Sequence, residues 1–107
     1  MDCGLAPAVI ARIQEVLGRF PGVSKAVLYG SRAMGTYRAG SDIDLTLYGD
    51  ELTVQQLAMI ASELDDLLLP YTIDLSLFAS LGNADLREHI ERVGKVFYER
   101  DGVAITR

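Results

Sequence analysis

The chain has 107 residues, of which half are apolar, and its 15 acidic and 10 basic residues give a net charge of −5. This length fits a single domain, and the apolar share excludes a disordered chain because it can form a packed core. The negative charge argues against a general nucleic-acid-binding module, since binding to polymer phosphate needs a basic surface.

Cysteine usage and hydropathy indicate the cellular setting. Cys3 is the single cysteine, so no internal disulfide can form. The N-terminus lacks the basic stretch and following apolar stretch of a signal peptide, and no apolar run approaches the length of a membrane span. We therefore expect a cytoplasmic protein with no membrane contact.

The first third of the chain predicts a helix, a strand and a short second helix. Apolar residues at helical spacing indicate a helix over residues 6–19, and residues 23–29 are typical of a buried strand. Gly30 breaks this strand. Ser31 is suited to cap a short helix that starts at Arg32.

The remaining elements alternate between strands and helices. They are a strand over residues 43–48, a helix opened by Thr53 and ending before Pro70, a strand over residues 71–78, a helix capped by Asn83 and ending at Val93, and an edge strand over residues 95–99. The second and third strands alternate polar and apolar residues, so each has a leucine-rich face and a polar face. The sequence predicts one compact α/β (α+β) domain whose helices cover one face of a small sheet and leave the other face open.

Three acidic side chains collect on the polar face. Asp42 and Asp44 are two residues apart and point the same way, and Asp74 falls in matching register on the third strand. Crowded carboxylates cost free energy unless a cation neutralises them. We expect the aspartates to bind Mg²⁺, with two ions as the natural number for an in-line displacement at phosphate, and Asp74 could also deprotonate the attacking hydroxyl.

A glycine–serine turn precedes these aspartates. Gly30 lets the backbone approach a ligand closely, and Ser31 offers a hydroxyl and N–H groups at a helix N-terminus, where phosphate is favoured. Alone, the turn is typical of an ordinary strand-to-helix connection. Combined with the carboxylates, it predicts a site for metal and triphosphate.

The motif Gly30-Ser31, ten intervening residues and Asp42-x-Asp44 resembles the signature of the DNA polymerase β-type nucleotidyltransferase superfamily. The likeness to its small prokaryotic branch, the minimal nucleotidyltransferases, extends over residues 30–35, 41–45, 74–78 and 86–94. It implies a nucleotidyltransferase fold with a small mixed sheet, formed by a single domain over residues 1–107.

The resemblance also implies a role for each motif residue. Members bind a nucleoside triphosphate with Mg²⁺ and transfer a nucleoside monophosphate to a hydroxyl. The implied catalytic and metal-binding residues are Asp42, Asp44 and Asp74, and the implied nucleotide-binding residues are Gly30, Ser31 and Arg32. For Arg32, a surface position without a ligand is the competing interpretation. His89, the single histidine, lies on the last predicted helix and is interpreted as a surface residue.

Minimal nucleotidyltransferases typically act as antitoxins beside a HEPN-domain toxin encoded by the adjacent gene. By this resemblance, the chain would transfer AMP from ATP, or from another nucleoside triphosphate, to a tyrosine of the partner in a hetero-oligomer, without binding nucleic acid. Two alternatives stay open. The chain could mask its partner without catalysis, or it could be a subunit that modifies a small molecule of the antibiotic type.

Overall fold

The computed structural model describes residues 3–100, so both ends of the expected 1–107 domain lie outside the described residues. The elements in chain order are α1 (Pro7–Gly18), β1 (Lys25–Tyr29), α2 (Ser31–Met34), β2 (Ile43–Tyr48), α3 (Val54–Asp65), β3 (Ile73–Leu77), a 3₁₀ turn (Phe78–Ser80), α4 (Ala84–Val93) and β4 (Lys95–Glu99). Every predicted helix and strand is present.

The four strands form one mixed sheet with the order β3-β2-β1-β4. β1 is antiparallel to both β2 and β4, whereas β2 and β3 are parallel. Parallel neighbours need a crossover connection, and α3 supplies it. The predicted small mixed sheet is confirmed.

One face of the sheet carries the hydrophobic core beneath α1 and α3. Burying one such side chain contributes about 1.5–3 kcal/mol. The largest aliphatic side chains of this core include Ile13, Leu17, Leu28, Ile43, Leu45, Leu47 and Ile60. The apolar positions of β2 therefore point inward, as the alternation predicts.

The other face of the sheet is only partly open. Ile90 of α4 is buried with Val27 and Tyr29 of β1 in a second, smaller apolar cluster. α4 therefore packs on the polar face, which the sequence predicts to be free of helices. The aspartates occupy the part of this face where β2 and β3 begin.

Several element boundaries differ from the predictions: α1 is one residue shorter at each end than the expected 6–19, β1 begins at Lys25 and not at residue 23, and β3 begins at Ile73 and not at residue 71. α3 stops at Asp65, well before Pro70, and Leu68 then adopts a positive φ of 55°. β3 ends at Leu77 because Phe78 begins the 3₁₀ turn.

Two predicted helix starts are confirmed. Thr53 forms a capping box with Gln56 at the start of α3. The Asn83 side chain accepts a hydrogen bond from the Leu86 N–H at 3.1 Å, which caps α4.

Within residues 3–100, no helix is both long enough and apolar enough to cross a membrane.

Candidate active site

One row of side chains crosses the sheet where β1 ends and β2 begins. Tyr29 is paired with Asp44, and Asp44 is paired with Asp74. Paired residues on adjacent strands point to the same face, and the strands are about 4.8 Å apart. Asp42 stands two residues from Asp44, just before β2 begins. The expected register of Asp44 with Asp74 is confirmed.

The negative charges of Asp74 and Asp42 act on the Asp44 carboxylate. The pKa of Asp44 is raised, first by burial, then by the negative charge of Asp74 and then by that of Asp42. Asp42 and Asp74 are themselves exposed at the surface. A carboxylate in this environment is stabilised in its charged form when a cation arrives.

The donor set fits a hard divalent cation. The three aspartates offer only oxygen ligands, which suit Mg²⁺, and their mutual repulsion favours a positive ion among them. In the described part of the chain, no three acidic, histidine or cysteine side chains already converge as a metal cluster. Mg²⁺ usually takes one or two carboxylates and completes its shell with substrate phosphates and water, so it does not require a preformed protein cage.

Gly30 brings the first motif into contact with the second. Its backbone has φ 75° and ψ −155°, a conformation that residues with a side chain rarely adopt. A Cβ placed at Gly30 would collide with the carboxylate of Asp44. Glycine is therefore required here because the turn packs directly on an aspartate.

Ser31 opens α2 instead of capping it, which corrects the predicted helix start. Gly30 occupies the N-cap position, and its carbonyl accepts from the N–H groups of Ala33 and Met34, each at 3.1 Å. Ser31 is partly exposed and directly follows the glycine that contacts Asp44. The serine of the motif thus stands beside the carboxylate row.

Arg32 does not lie on this surface. Its side chain is 1% exposed, and its guanidinium donates to the carbonyl oxygens of Cys3 and Ser41. In this conformation it cannot contact a bound nucleotide. The structure therefore gives the implied phosphate contact no support, and it contradicts the competing interpretation as a surface arginine.

His89 and Tyr29 adjoin the aspartates, although the sequence assigns neither to the site. The two rings meet edge to face with centroids 6.3 Å apart, and His89 lowers the pKa of Asp44 against the larger effect of burial. His89 is half-buried, which corrects its interpretation as a surface residue, because α4 packs on the polar face of the sheet. No sequence signal predicts this docking, since helical periodicity does not say which face of a sheet a helix covers.

Two large concave surfaces lie away from the aspartates. These clefts have volumes of about 520 and 580 Å³, and both are lined by Ser24, Gly49 and Asp50. They lie where β1 begins and β2 ends, which is the end of these strands away from the aspartates. None of the three aspartates lines either cleft. The carboxylate row is therefore separate from both, on the open part of the sheet.

Comparison with known proteins identifies the family. The sequence profile described as "Polymerase beta, Nucleotidyltransferase" matches residues 11–102, which is most of the chain. Comparison with curated proteins gives no match.

Solved structures share the fold. A chain of a toxin–antitoxin complex with AMP-PNP has a TM-score of 0.70 at 23% identity, over 86% of this chain and 74% of that one. A chain from the complex of a tri-AMPylated Shewanella oneidensis HEPN toxin with its MNT antitoxin has a TM-score of 0.65 at 20% identity, over 87% of this chain and 71% of that one. A chain from an MntA-HepT toxin–antitoxin structure has a TM-score of 0.66 at 20% identity, over 89% and 74%.

At these identities the likeness establishes the fold, and the profile match establishes the family. The chain belongs to the polymerase beta nucleotidyltransferase family.

Proposed function

We propose that the chain is a Mg²⁺-dependent nucleotidyltransferase that transfers AMP from ATP to a tyrosine hydroxyl of a HEPN-domain partner. The observation that carries the proposal is the packing of Gly30 on Asp44 within the row that Asp44 forms with Asp74. This packing sets the glycine–serine turn, which we propose binds phosphate, against acidic residues that would suit a metal ion. Family membership makes nucleotidyl transfer the reaction class.

Each motif residue has a role in the proposed reaction. Asp42, Asp44 and Asp74 would hold Mg²⁺, which neutralises charge on the phosphate oxygens when it is bound. Gly30 and Ser31 would bind the triphosphate through backbone N–H groups and a hydroxyl. These groups orient the α-phosphate for attack, and orientation of this kind is a major part of catalysis.

Transfer then proceeds by one displacement. The acceptor hydroxyl oxygen forms a bond to the α-phosphorus of ATP, and its proton passes to Asp74. The bond between the α-phosphorus and the oxygen that bridges to the β-phosphate breaks. Pyrophosphate leaves with that electron pair, and the acceptor carries AMP.

A partner supplies the acceptor in this proposal. Asp42 and Asp74 are exposed on an open surface, so a second molecule can reach them directly. The three solved chains compared above come from toxin–antitoxin structures, and in one of these the HEPN toxin is tri-AMPylated. We therefore propose a cytoplasmic hetero-oligomer whose acceptor is the HEPN protein, with residues 1–107 acting as one minimal nucleotidyltransferase domain.

Two alternatives make different predictions for the same assay. A masking antitoxin would inhibit its partner without transferring a nucleotide. A small-molecule nucleotidyltransferase would modify an aminoglycoside and leave the protein unlabelled. The exposed carboxylates favour a protein acceptor, since neither of the two large clefts in residues 3–100 adjoins them to bind a small molecule.

The test is incubation of the chain with its co-purifying partner, Mg²⁺ and each of the four nucleoside triphosphates labelled at the α-phosphate. We expect label from ATP on the partner, and tandem mass spectrometry should locate AMP on a tyrosine. Inhibition of the partner without label would favour masking. Label on an added aminoglycoside and none on protein would favour the small-molecule alternative.

A further inference from the structure

The buried guanidinium of Arg32 bridges two separate segments of the chain. Nε and Nη2 both donate to the carbonyl oxygen of Ser41, at 3.1 and 2.9 Å. Nη1 donates to the carbonyl oxygen of Cys3 at 2.9 Å. The planar guanidinium therefore donates its hydrogen bonds to backbone carbonyls and is buried away from solvent.

One end of this bridge joins the two halves of the motif. Arg32 directly follows Gly30-Ser31, and Ser41 directly precedes Asp42. The guanidinium thus spans the loop that separates the glycine–serine turn from the aspartates. A movement of the Ser41 carbonyl, and with it of the backbone that leads into Asp42, relative to that turn requires these hydrogen bonds to rearrange.

Neighbouring groups hold the bridge in place. The rings of Tyr37 and Tyr71 lie 5.4 and 5.0 Å from the guanidinium carbon of Arg32, within the range of cation–π attraction. Within its own loop, the Ser41 hydroxyl accepts from the Arg38 N–H at 2.8 Å and the Ser41 N–H donates to the Arg38 carbonyl at 3.0 Å, which leaves the Ser41 carbonyl free to accept from Arg32.

We propose that Arg32 is a positioning residue that fixes Asp42 relative to Gly30-Ser31. The proposal rests on the proposed function for its catalytic consequence, and it replaces the expected phosphate contact. Arginine is required because its rigid fork directs two donors at one carbonyl and a third at another. Lysine carries the same charge as a single flexible ammonium group and cannot reproduce this geometry.

Substitution of Arg32 by lysine and by glutamine separates positioning from charge. Both variants lose the fork, so we expect both to reduce kcat for AMP transfer by a similar factor, roughly 10–100-fold, as is typical when a group that orients metal ligands is removed. Mn²⁺ binding without nucleotide should also weaken in both variants. It can be measured as the decrease in the electron paramagnetic resonance signal of free Mn²⁺. Activity and binding are normalised to the folded fraction.

Arg100→Gln is the matched control. Arg100 also donates to two backbone carbonyls, from Nε to Val23 at 3.0 Å and from Nη2 to Phe20 at 2.7 Å, but it is remote from the motif in sequence and shares none of its hydrogen bonds. Its loss should reduce stability while leaving the kcat and Mn²⁺ affinity of the folded protein at wild-type values.

Gly4→Ala perturbs the same bridge if the Arg32 variants do not fold. A Cβ at Gly4 would lie 2.9 Å from Arg32 Nη1 and would collide with the ring of Tyr37. A lower kcat and weaker Mn²⁺ binding in this variant would then support positioning, and wild-type values would overturn it.

Two further outcomes would overturn the proposal. Wild-type transfer and Mn²⁺ binding by Arg32→Lys, with losses only in Arg32→Gln, would show that charge is what matters and would overturn positioning. Equal losses of kcat and Mn²⁺ binding in Arg100→Gln would show that these losses follow from reduced stability in general, and this would also overturn positioning by Arg32. If the wild-type protein transfers no AMP, the proposed function fails, while the Mn²⁺ comparison still tests positioning.

Discussion

The Asp44 carboxylate packs so closely on Gly30 that a Cβ at position 30 would collide with it. Gly30 directly follows β1, and Asp44 stands in the carboxylate row on β2, so this contact joins the two halves of the motif. The chemistry proposed for the site depends on this contact, because triphosphate and metal must meet there.

Gly30→Ala should abolish most transfer. The added methyl must displace the Asp44 carboxylate, and a misplacement of this kind costs roughly 10²-fold in rate. Gly35→Ala is the control, because Gly35 also has a positive φ of 80° but has no atom within 4 Å of an added Cβ. Both variants should lose about 1–3 kcal/mol of stability to backbone strain. Transfer assays and denaturant unfolding would check this, and equal transfer by the two variants would contradict it.

Asp44→Asn should stabilise the metal-free protein at neutral pH while ending transfer. The pKa of Asp44 is raised in the folded state, so folding is favoured by protonation of this group. That contribution is fully present below the ordinary pKa of an aspartate and is lost as the pH rises through the raised pKa of Asp44. Wild-type melting temperatures without metal should show this loss with rising pH, and the asparagine variant should not.

The control for this melting experiment is Asp65→Asn, at the exposed end of α3. It should leave the pH dependence of the melting temperature as in the wild-type protein. The same pH dependence in Asp44→Asn as in the wild type would contradict the account of Asp44.

His89→Gln should move the acid limit of metal binding to higher pH. Burial and the charges of Asp74 and Asp42 raise the pKa of Asp44, and His89 lowers it, so removal of His89 should raise this pKa further. Mn²⁺ binding measured across a pH series should therefore require a higher pH in this variant. Glu88→Gln, which removes the partner of Arg92 on the same helix, is the control. An unchanged acid limit in His89→Gln would show that the histidine does not act on the site.

A leucine on the core face of β2 should matter far more for stability than an exposed leucine. Leu45 is fully buried beneath the helices, so Leu45→Ala should cost about 2–5 kcal/mol of unfolding free energy. Leu68 is 88% exposed, and Leu68→Ala should stay within about 0.5 kcal/mol of the wild type. Urea unfolding would test both, and a small loss for Leu45→Ala would contradict the assigned core face.

Local patterns in the sequence predict most of the fold. The alternation in β2 predicts the strand bounds, and the same alternation in β3 predicts the register of Asp74 with Asp44. Thr53 and Asn83 mark their helix starts because a cap acts on residues only three positions away. Such predictions succeed because the interactions that decide them are local or have a fixed period.

The features that the sequence does not predict depend on how elements pack. Arg32 is buried because carbonyls at Cys3 and Ser41 accept from it, and no sequence pattern indicates that pairing. His89 adjoins Asp44 only because α4 docks on the polar face. Periodicity contains neither piece of information, so the two residues could be assigned only from the structure.

The most direct test of the proposed metal site is transfer of labelled AMP to the partner by the Asp42→Asn, Asp44→Asn double variant. Its control is the Asp65→Asn, Asp66→Asn double variant, which removes the same charge from the exposed end of α3. The control should label the partner as the wild type does, and the Asp42, Asp44 variant, shown to be folded by circular dichroism, should transfer no label. Undiminished labelling by the folded Asp42, Asp44 variant would show that these two aspartates do not hold the metal ion for transfer.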